Sequence, residues 1–211
     1  MIEDAAQSFG AIHYNKFSCN ICDISTTSFF PSKPLGGYGD GGAIFTNNKN
    51  IYKKIISLRV HGQRKKYDHK YVGINGRMDT IQATIISEKL KKFKKEIILR
   101  TKKAKMYNNY LKDIKDIKIP YIEKYNRSVY AQYCIKAKNR DKLKEFLVNN
   151  NIPSVIYYPK LISKQQIIKS KHNFTKSSKV IKNILALPFS PYIHNKDIKK
   201  ISKLIRKFYE K

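Results

Sequence analysis

The sequence predicts an α/β chain that changes character near its middle. Three observations carry this. Two short β-prone runs, 25–30 and 43–46, flank a glycine-rich turn, and apolar residues recur at helical spacing from Ile51 onward. No proline or glycine interrupts residues 77–119, so a helix there meets no local breaker. Pro120 ends that stretch, and shorter strand-like and helix-like segments follow to the end of the chain.

Taken in order, Met1-Ile2 leads straight into Glu3-Asp4 as a short strand. A polar residue at the carboxyl end of a strand is a common ligand position in α/β folds. Residues 8–24 read as a connection with a short strand or turn, Tyr14-Asn15-Lys16 being turn chemistry. The strand at 25–30 stops at Pro31, which has no amide for a ladder. Residues 43–46 form the next strand. Asn47-Asn48-Lys49-Asn50 is a turn or N-cap cluster, after which Ile51, Ile55, Ile56 and Leu58 mark a helix. Residues 62–76 form a loop. One long helix, or two joined, is expected over 78–113, with Ile81, Ile85, Leu90, Phe93, Ile97 and Ile98 as its apolar stripe. Beyond Pro120, residues 128–135 alternate like a strand. Residues 140–149 read as a helix opened by Asp141 and closed by the asparagine run at 149–151. A strand is expected at 152–158 and helices at 176–186 and 195–209, the last very basic.

Composition bounds the function. The chain has 211 residues, enough for one or two domains with a real core. Its 44 Lys and Arg against 15 Asp and Glu give a formal charge of +29. A basic nucleic-acid-associated module is the sharp reading of that charge. The basic residues are dispersed, however, and no recognition-helix or zinc-finger motif accompanies them, so no specific nucleic acid is expected as a partner. No apolar run approaches the roughly 18 residues of a membrane span, and no signal core follows the N-terminus. The expectation is a cytoplasmic protein with no membrane partner. Three cysteines are present, Cys19 and Cys22 forming C-x-x-C with Cys134 far away. A structural zinc takes about four ligands, so no metal is expected, and the thiols read as incidental.

The chemistry concentrates in Ser28-Phe29-Phe30-Pro31-Ser32-Lys33-Pro34-Leu35-Gly36-Gly37-Tyr38-Gly39-Asp40-Gly41-Gly42. Five of the chain's nine glycines fall here. Glycine lets a backbone approach a ligand closely, and Lys33 stands at the exit of a strand. Ser28 and the loop amides are placed to hold an anionic group near that lysine. An ordinary solvated surface loop stays open as the alternative. Gly37 to Gly42 also spells G-x-G-x-x-G, but the dinucleotide fingerprint needs a helix directly after it. Ala43-Ile44-Phe45-Thr46 reads as a strand, so the dinucleotide reading is rejected.

These residues resemble a known family. Ser28-Phe29-Phe30-Pro31-Ser32-Lys33 followed by Gly39-Asp40-Gly41-Gly42 is similar to the DegT/DnrJ/StrS family of sugar-nucleotide aminotransferases. Glu3-Asp4-Ala5-Ala6-Gln7-Ser8-Phe9-Gly10-Ala11, Arg59-Val60-His61-Gly62-Gln63 and Gly73-Ile74-Asn75-Gly76-Arg77-Met78-Asp79-Thr80-Ile81-Gln82-Ala83 match in family order. The resemblance covers essentially the whole chain but only the later part of a family member, about 150 residues being expected before it in a multi-domain relative. It implies part of the fold type I of pyridoxal-phosphate-dependent transferases. Residues 1–90 would be the later part of the large, cofactor-binding domain, 91–119 a long connecting helix, and 120–211 a small C-terminal α+β domain.

The resemblance also assigns roles. Lys33 would be the catalytic lysine that attaches to pyridoxal 5'-phosphate as a Schiff base. Asp4 would pair with the pyridine nitrogen, Gln7 would contact the 3-oxygen region, and Ser28 would bind the phosphate. Asn75 would reach the phosphate of a neighbouring subunit, which implies a homodimer. Arg77 would bind a substrate carboxylate and Tyr158 the substrate. The implied reaction moves an amino group, usually from glutamate, to a nucleotide-linked keto-sugar in surface-polysaccharide (O-antigen) biosynthesis. The segments around Val60, Arg77 and Tyr130 look most like the branch acting on UDP-linked 3-keto glucuronic-acid derivatives. Tyr157-Tyr158-Pro159 departs from that branch, which usually reads His-Tyr-Pro. A related dehydratase branch lacks the lysine, and Lys33 argues against it. His61 and His69 read as structural. The remaining alternative is an inactive truncated or split fragment of such an enzyme, and the 211-residue chain alone is expected to be inactive.

Overall fold

The computed structural model of the chain describes residues 1–168, 170 and 172–210. Lys169, Lys171 and Lys211, inside the expected small domain, lie outside the described residues. The chain divides into two units: Met1–Ile97 with Ile122–Ala131, and Ile98–Tyr121 with the residues from Gln132 onward.

In the first unit, β1 (Ile2–Asp4) is followed by a tight hairpin of β2 (Ile12–His13) and β3 (Lys16–Phe17). Tyr14 and Asn15 turn it with φ of 42° and 64°, the positive values a two-residue hairpin loop demands. β4 (Ile24–Ser28) then pairs parallel to β1, with Asp4 opposite Thr26. β5 (Gly42–Phe45) runs antiparallel to β4, with Ser28 opposite Gly42. The sheet order is β1-β4-β5, so β4 is its central strand, and Ser25 and Thr27 on it are buried.

The expected helix after the asparagine cluster is α1 (Lys49–Arg59). Asn48 caps it, its side-chain oxygen accepting from the amides of Asn50 and Ile51 at 2.9 and 3.1 Å. A cap of this kind satisfies donors that a helix start leaves free. The loop at 62–76 contains a hairpin, β6 (Gln63–Lys65) and β7 (Asp68–His69). Gly62 stands at its base with φ of 73°, and a Cβ there would lie 1.7 Å from the Tyr71 carbonyl oxygen. Only glycine fits that approach.

The long segment is one helix, α2 (Thr80–Leu111), and the boundary between the units falls inside it after Ile97. The expected apolar stripe is displaced. Phe93 and Ile97 are buried, but Ile81, Leu90 and Ile98 are 73%, 51% and 50% exposed. The buried residues are Ile86, Phe93, Ile97, Arg100, Ala104, Tyr107 and Leu111, which recur at heptad spacing on one face. Ile86, Phe93 and Ile97 join Phe29, Leu35 and Val129 in the first unit's core, with Phe9 and Met78 packed against it.

Past α2 come β8 (Ile117–Lys118) and β9 (Asn126–Arg127), the latter pairing antiparallel with β2 in the first unit. The second unit continues with β10 (Tyr133–Ala137), α3 (Arg140–Asn149), α4 (Thr175–Ile181), β11 (Ile184–Leu187) and α5 (Asn195–Tyr209). Its sheet order is β11-β10-β8, antiparallel throughout. Tyr107, Leu111, Tyr133, Ile135, Leu143, Leu147, Leu185, Ile198 and Ile205 form a core with no accessible surface.

Three expectations for this part are corrected. The strand expected at 128–135 begins only at Tyr133, because Tyr130 takes φ of 46° and breaks the extended run. Residues 152–158 give one isolated bridge, Val155 to Ala186, rather than a strand, and Pro153 offers no ladder donor there. The helix expected at 176–186 stops at Ile181, and Ile184–Leu187 is a strand covered by β10. A four-residue apolar run does not reveal its state by periodicity alone.

Candidate functional site

The carboxyl ends of β1 and β4 lie side by side, because the two strands are parallel neighbours. That edge carries Asp4 and Ser28. The Asp4 carboxylate accepts from the Ala6 amide through Oδ1 at 3.0 Å, and Oδ2 has no hydrogen bond among the described residues. Ser28 Oγ accepts from the Phe30 amide at 3.2 Å. Gln7 lies three residues beyond Asp4 and is exposed.

Lys33 follows β4 on a loop that folds back over the strand's end. Its amide donates to the Phe30 carbonyl at 2.9 Å, and the Gly37 amide to the Phe29 carbonyl at 2.7 Å. The Phe29 amide donates to the Gly41 carbonyl at 2.8 Å, closing the loop from its far side. Gly36 is needed here, since a Cβ would sit 2.4 Å from the Pro31 carbonyl oxygen. Pro34, Leu35, Gly36 and Gly37 are buried while Lys33 is half-buried, and Lys33 has no ion-pair partner among the described residues.

An amine, a carboxylate and a hydroxyl are thus anchored to one sheet edge. The amine can act as nucleophile or base, the carboxylate can hold a cationic ring nitrogen, and the hydroxyl with the loop amides can hold an anion. Asn75 and Arg77 lie in the first unit, on the exposed segment leading into α2. Asn75 bridges to Val60, and the Gly76 amide donates to the Arg59 carbonyl at 2.9 Å, so this segment is tied to the end of α1. Tyr158 belongs to the second unit and is exposed.

The C-x-x-C is tied down by Glu3. Its Oε2 accepts from the Cys19 amide at 2.9 Å and the Ser25 hydroxyl at 3.0 Å. Burial, with the Glu3 charge as a second cause, pushes the Cys19 thiol up to about 11. Cys19, Cys22 and Cys134 are free thiols, and among the described residues no three metal-ligand side chains converge. Also among the described residues, no helix is long and apolar enough to cross a membrane. Two residues at the lysine loop escaped the sequence reading, Gln82 and Lys89 of α2. Gln82 lies within the Gly73-to-Ala83 motif, but nothing local signals that it meets the loop.

Comparison with known proteins shows the family. The sequence profile of the DegT/DnrJ/EryC1/StrS aminotransferase family matches residues 1–206. The UDP-2-acetamido-2-deoxy-3-oxo-D-glucuronate aminotransferase of Pseudomonas aeruginosa is 44% identical over 200 residues, covering 94% of this chain and 55% of the relative. The dTDP-3-amino-3,6-dideoxy-alpha-D-galactopyranose transaminase of Aneurinibacillus thermoaerophilus is 30% identical over 210 residues, covering 99% of this chain and 58% of the relative. The crystal structure of a DegT DnrJ EryC1 StrS aminotransferase from Brucella abortus superposes with a TM-score of 0.95 at 41% identity, over 100% of this chain and 57% of that one. The chain spans a little over half the length of the curated relatives it matches.

Proposed function

We propose that this chain, which belongs to the DegT/DnrJ/EryC1/StrS aminotransferase family, carries the lysine-bearing part of an enzyme that moves an amino group from an amino acid, glutamate by family analogy, to a nucleotide-linked keto-sugar.

 The substrate is a UDP-linked 3-keto sugar with a carboxylate, a reading supported by the likeness to the Pseudomonas aeruginosa UDP-2-acetamido-2-deoxy-3-oxo-D-glucuronate aminotransferase. The product would feed the building of a surface polysaccharide in the cytoplasm. The observation that carries this reading is the placement of Asp4, Ser28 and Lys33 on and just beyond one edge of parallel strands.

That donor set fits pyridoxal phosphate, which has an aldehyde, a ring nitrogen and a phosphate. When bound, the cofactor takes up an amine and draws electrons from the adjacent carbon. Lys33 Nζ is the amine that anchors it and the base that moves a proton on the substrate's carbon. Asp4, with Oδ2 uncommitted, holds the proton on the ring nitrogen. Ser28 Oγ and the neighbouring amides hold the phosphate, and Gln7 contacts the ring's 3-oxygen side. Asn75 completes the phosphate site of a second copy in a homodimer. Arg77 grips the substrate carboxylate with its planar fork, and Tyr158 lines the sugar site. The first unit is then the later part of a cofactor-binding large domain, and the second unit is the small domain.

The test is reduction with borohydride in the presence of pyridoxal phosphate, followed by peptide mapping. The expected adduct is on Lys33 and is absent from Lys33→Ala. An adduct that persists on another lysine overturns the assignment.

A further inference from the structure

We infer that Gln82 and Lys89 of α2 are positioning residues for Lys33, acting through the glycine loop that follows it. This rests on the reading of Lys33 as the cofactor lysine. Residues seven apart lie two turns apart on one face of a helix, so both side chains address the same loop. Gln82 Oε1 accepts from the Tyr38 amide at 2.8 Å. Its amide group also lies against the loop backbone. A Cβ on Gly37 would be 2.9 Å from Gln82 Oε1, and one on Gly39 would be 3.3 Å from Nε2. Lys89 Nζ donates to the Gly36 carbonyl, and it stands 5.7 Å from the centre of the Tyr38 ring.

The two contacts answer a specific need. Gly36 and Gly37 are buried, and a buried peptide group requires a partner. The loop's own bonds supply only some of them, Gly37 to Phe29 and Lys33 to Phe30. α2 supplies one acceptor and one donor to residues 36 and 38. Between them, Ile86 packs with Leu35 and Phe29 in the first unit's core. The loop is therefore pinned at Phe29, Gly36 and Tyr38, and Lys33 lies within the pinned segment. Neither Gln82 nor Lys89 is assigned contact with substrate. Each fixes backbone, and the backbone sets where the Lys33 amine stands.

The experiment measures two local quantities on the purified chain, neither of which needs cofactor. The first is hydrogen exchange at the Tyr38 amide. The second is the pH profile of Lys33 acetylation by limiting acetic anhydride, read by mass spectrometry against Lys142 as an internal control. Gln82→Met should speed Tyr38 exchange about tenfold, the effect of losing one hydrogen bond of ordinary net strength. It should also change the Lys33 profile while leaving Lys142 unchanged. Gln82→Glu, which keeps the acceptor, should restore both. Lys89→Met is the independent variant, with Lys89→Arg as its rescue. A fall in thermal midpoint with an unchanged Lys33 profile in both Gln82→Met and Lys89→Met would show a merely structural role and overturn the inference. Borohydride trapping with pyridoxal phosphate, run on the parent chain, separates the two claims. A shifted Lys33 profile without a Lys33 adduct would sustain the clamp and refute the cofactor reading.

Discussion

Helices α1 and α5 are both isoleucine-rich and lysine-rich, yet they meet opposite fates. α5 buries Ile198, Ile201 and Ile205 completely or nearly so, whereas no residue of α1 is fully buried. The contrast extends to the sheets. In the second unit α3 packs on β10 and β11 of the three-stranded sheet and on α5, and Leu143 and Leu147 help close the core. In the first unit β5 is an edge strand with Ile44 52% exposed, and beside α1 it borders a groove of about 820 Å³. Ile44, Phe45, Ile55, Leu58, Ile74 and Met78 line that groove. Open apolar surface and an unpaired strand edge favour association. The unit that holds the candidate site is therefore the one whose packing is less closed, and the second unit is the more self-sufficient.

The sharpest way to test this contrast is to make the same kind of deletion on both sides. Leu147→Ala should destabilise the second unit by about 2–5 kcal/mol, the usual cost of emptying a closed core. Ile55→Ala in α1 should cost no more than about 1 kcal/mol. Urea unfolding followed by hydrogen exchange in α3 and α1 would measure each change, and equal losses would break the comparison.

Gly62→Ala probes the tightest of the places where the first unit tolerates no added atom. Its positive φ and the 1.7 Å approach to Tyr71 make the hairpin base spread apart. The expected cost is on the order of 1–3 kcal/mol, seen as faster exchange at the Lys70 and Tyr71 amides, which donate to the Gly62 carbonyl. Asn48→Ala should cost about 1 kcal/mol by removing the cap of α1. Helicity and exchange at the Asn50 and Ile51 amides would report it.

The smallest effect is electrostatic. With its thiol pushed up to about 11, Cys19 should alkylate slowly at neutral pH and gain rate up to that value. The unfolded thiol, near 9, loses its proton first, so this group's contribution to stability is full below that pH and is lost as pH rises towards 11. Iodoacetamide labelling across that range, with peptide mapping, checks the midpoint.

What the sequence alone determined was local. Asn48 announces a helix start because its side chain can reach amides two and three residues on, and Tyr14-Asn15-Lys16 announces a turn because asparagine readily accepts positive φ. The uninterrupted run from 77 to 119 allowed one long helix, and Pro31 marked the end of a strand ahead of Lys33, although β4 itself stops earlier, at Ser28. The lysine loop and its family were legible because strand, proline, lysine and glycines follow one another along the chain. What only the tertiary structure decided was sidedness and partnership. Ile86 is buried and Ile81 exposed on the same helix because Phe29 and Leu35 meet one face of it. Ile184–Leu187 is a strand because β10 offers it a ladder along its length. Gln82 and Lys89 matter because the fold brings α2 against buried peptide groups far away in sequence. Propensity and capping act over a few residues, whereas burial and hydrogen-bond satisfaction depend on whatever the rest of the chain brings near.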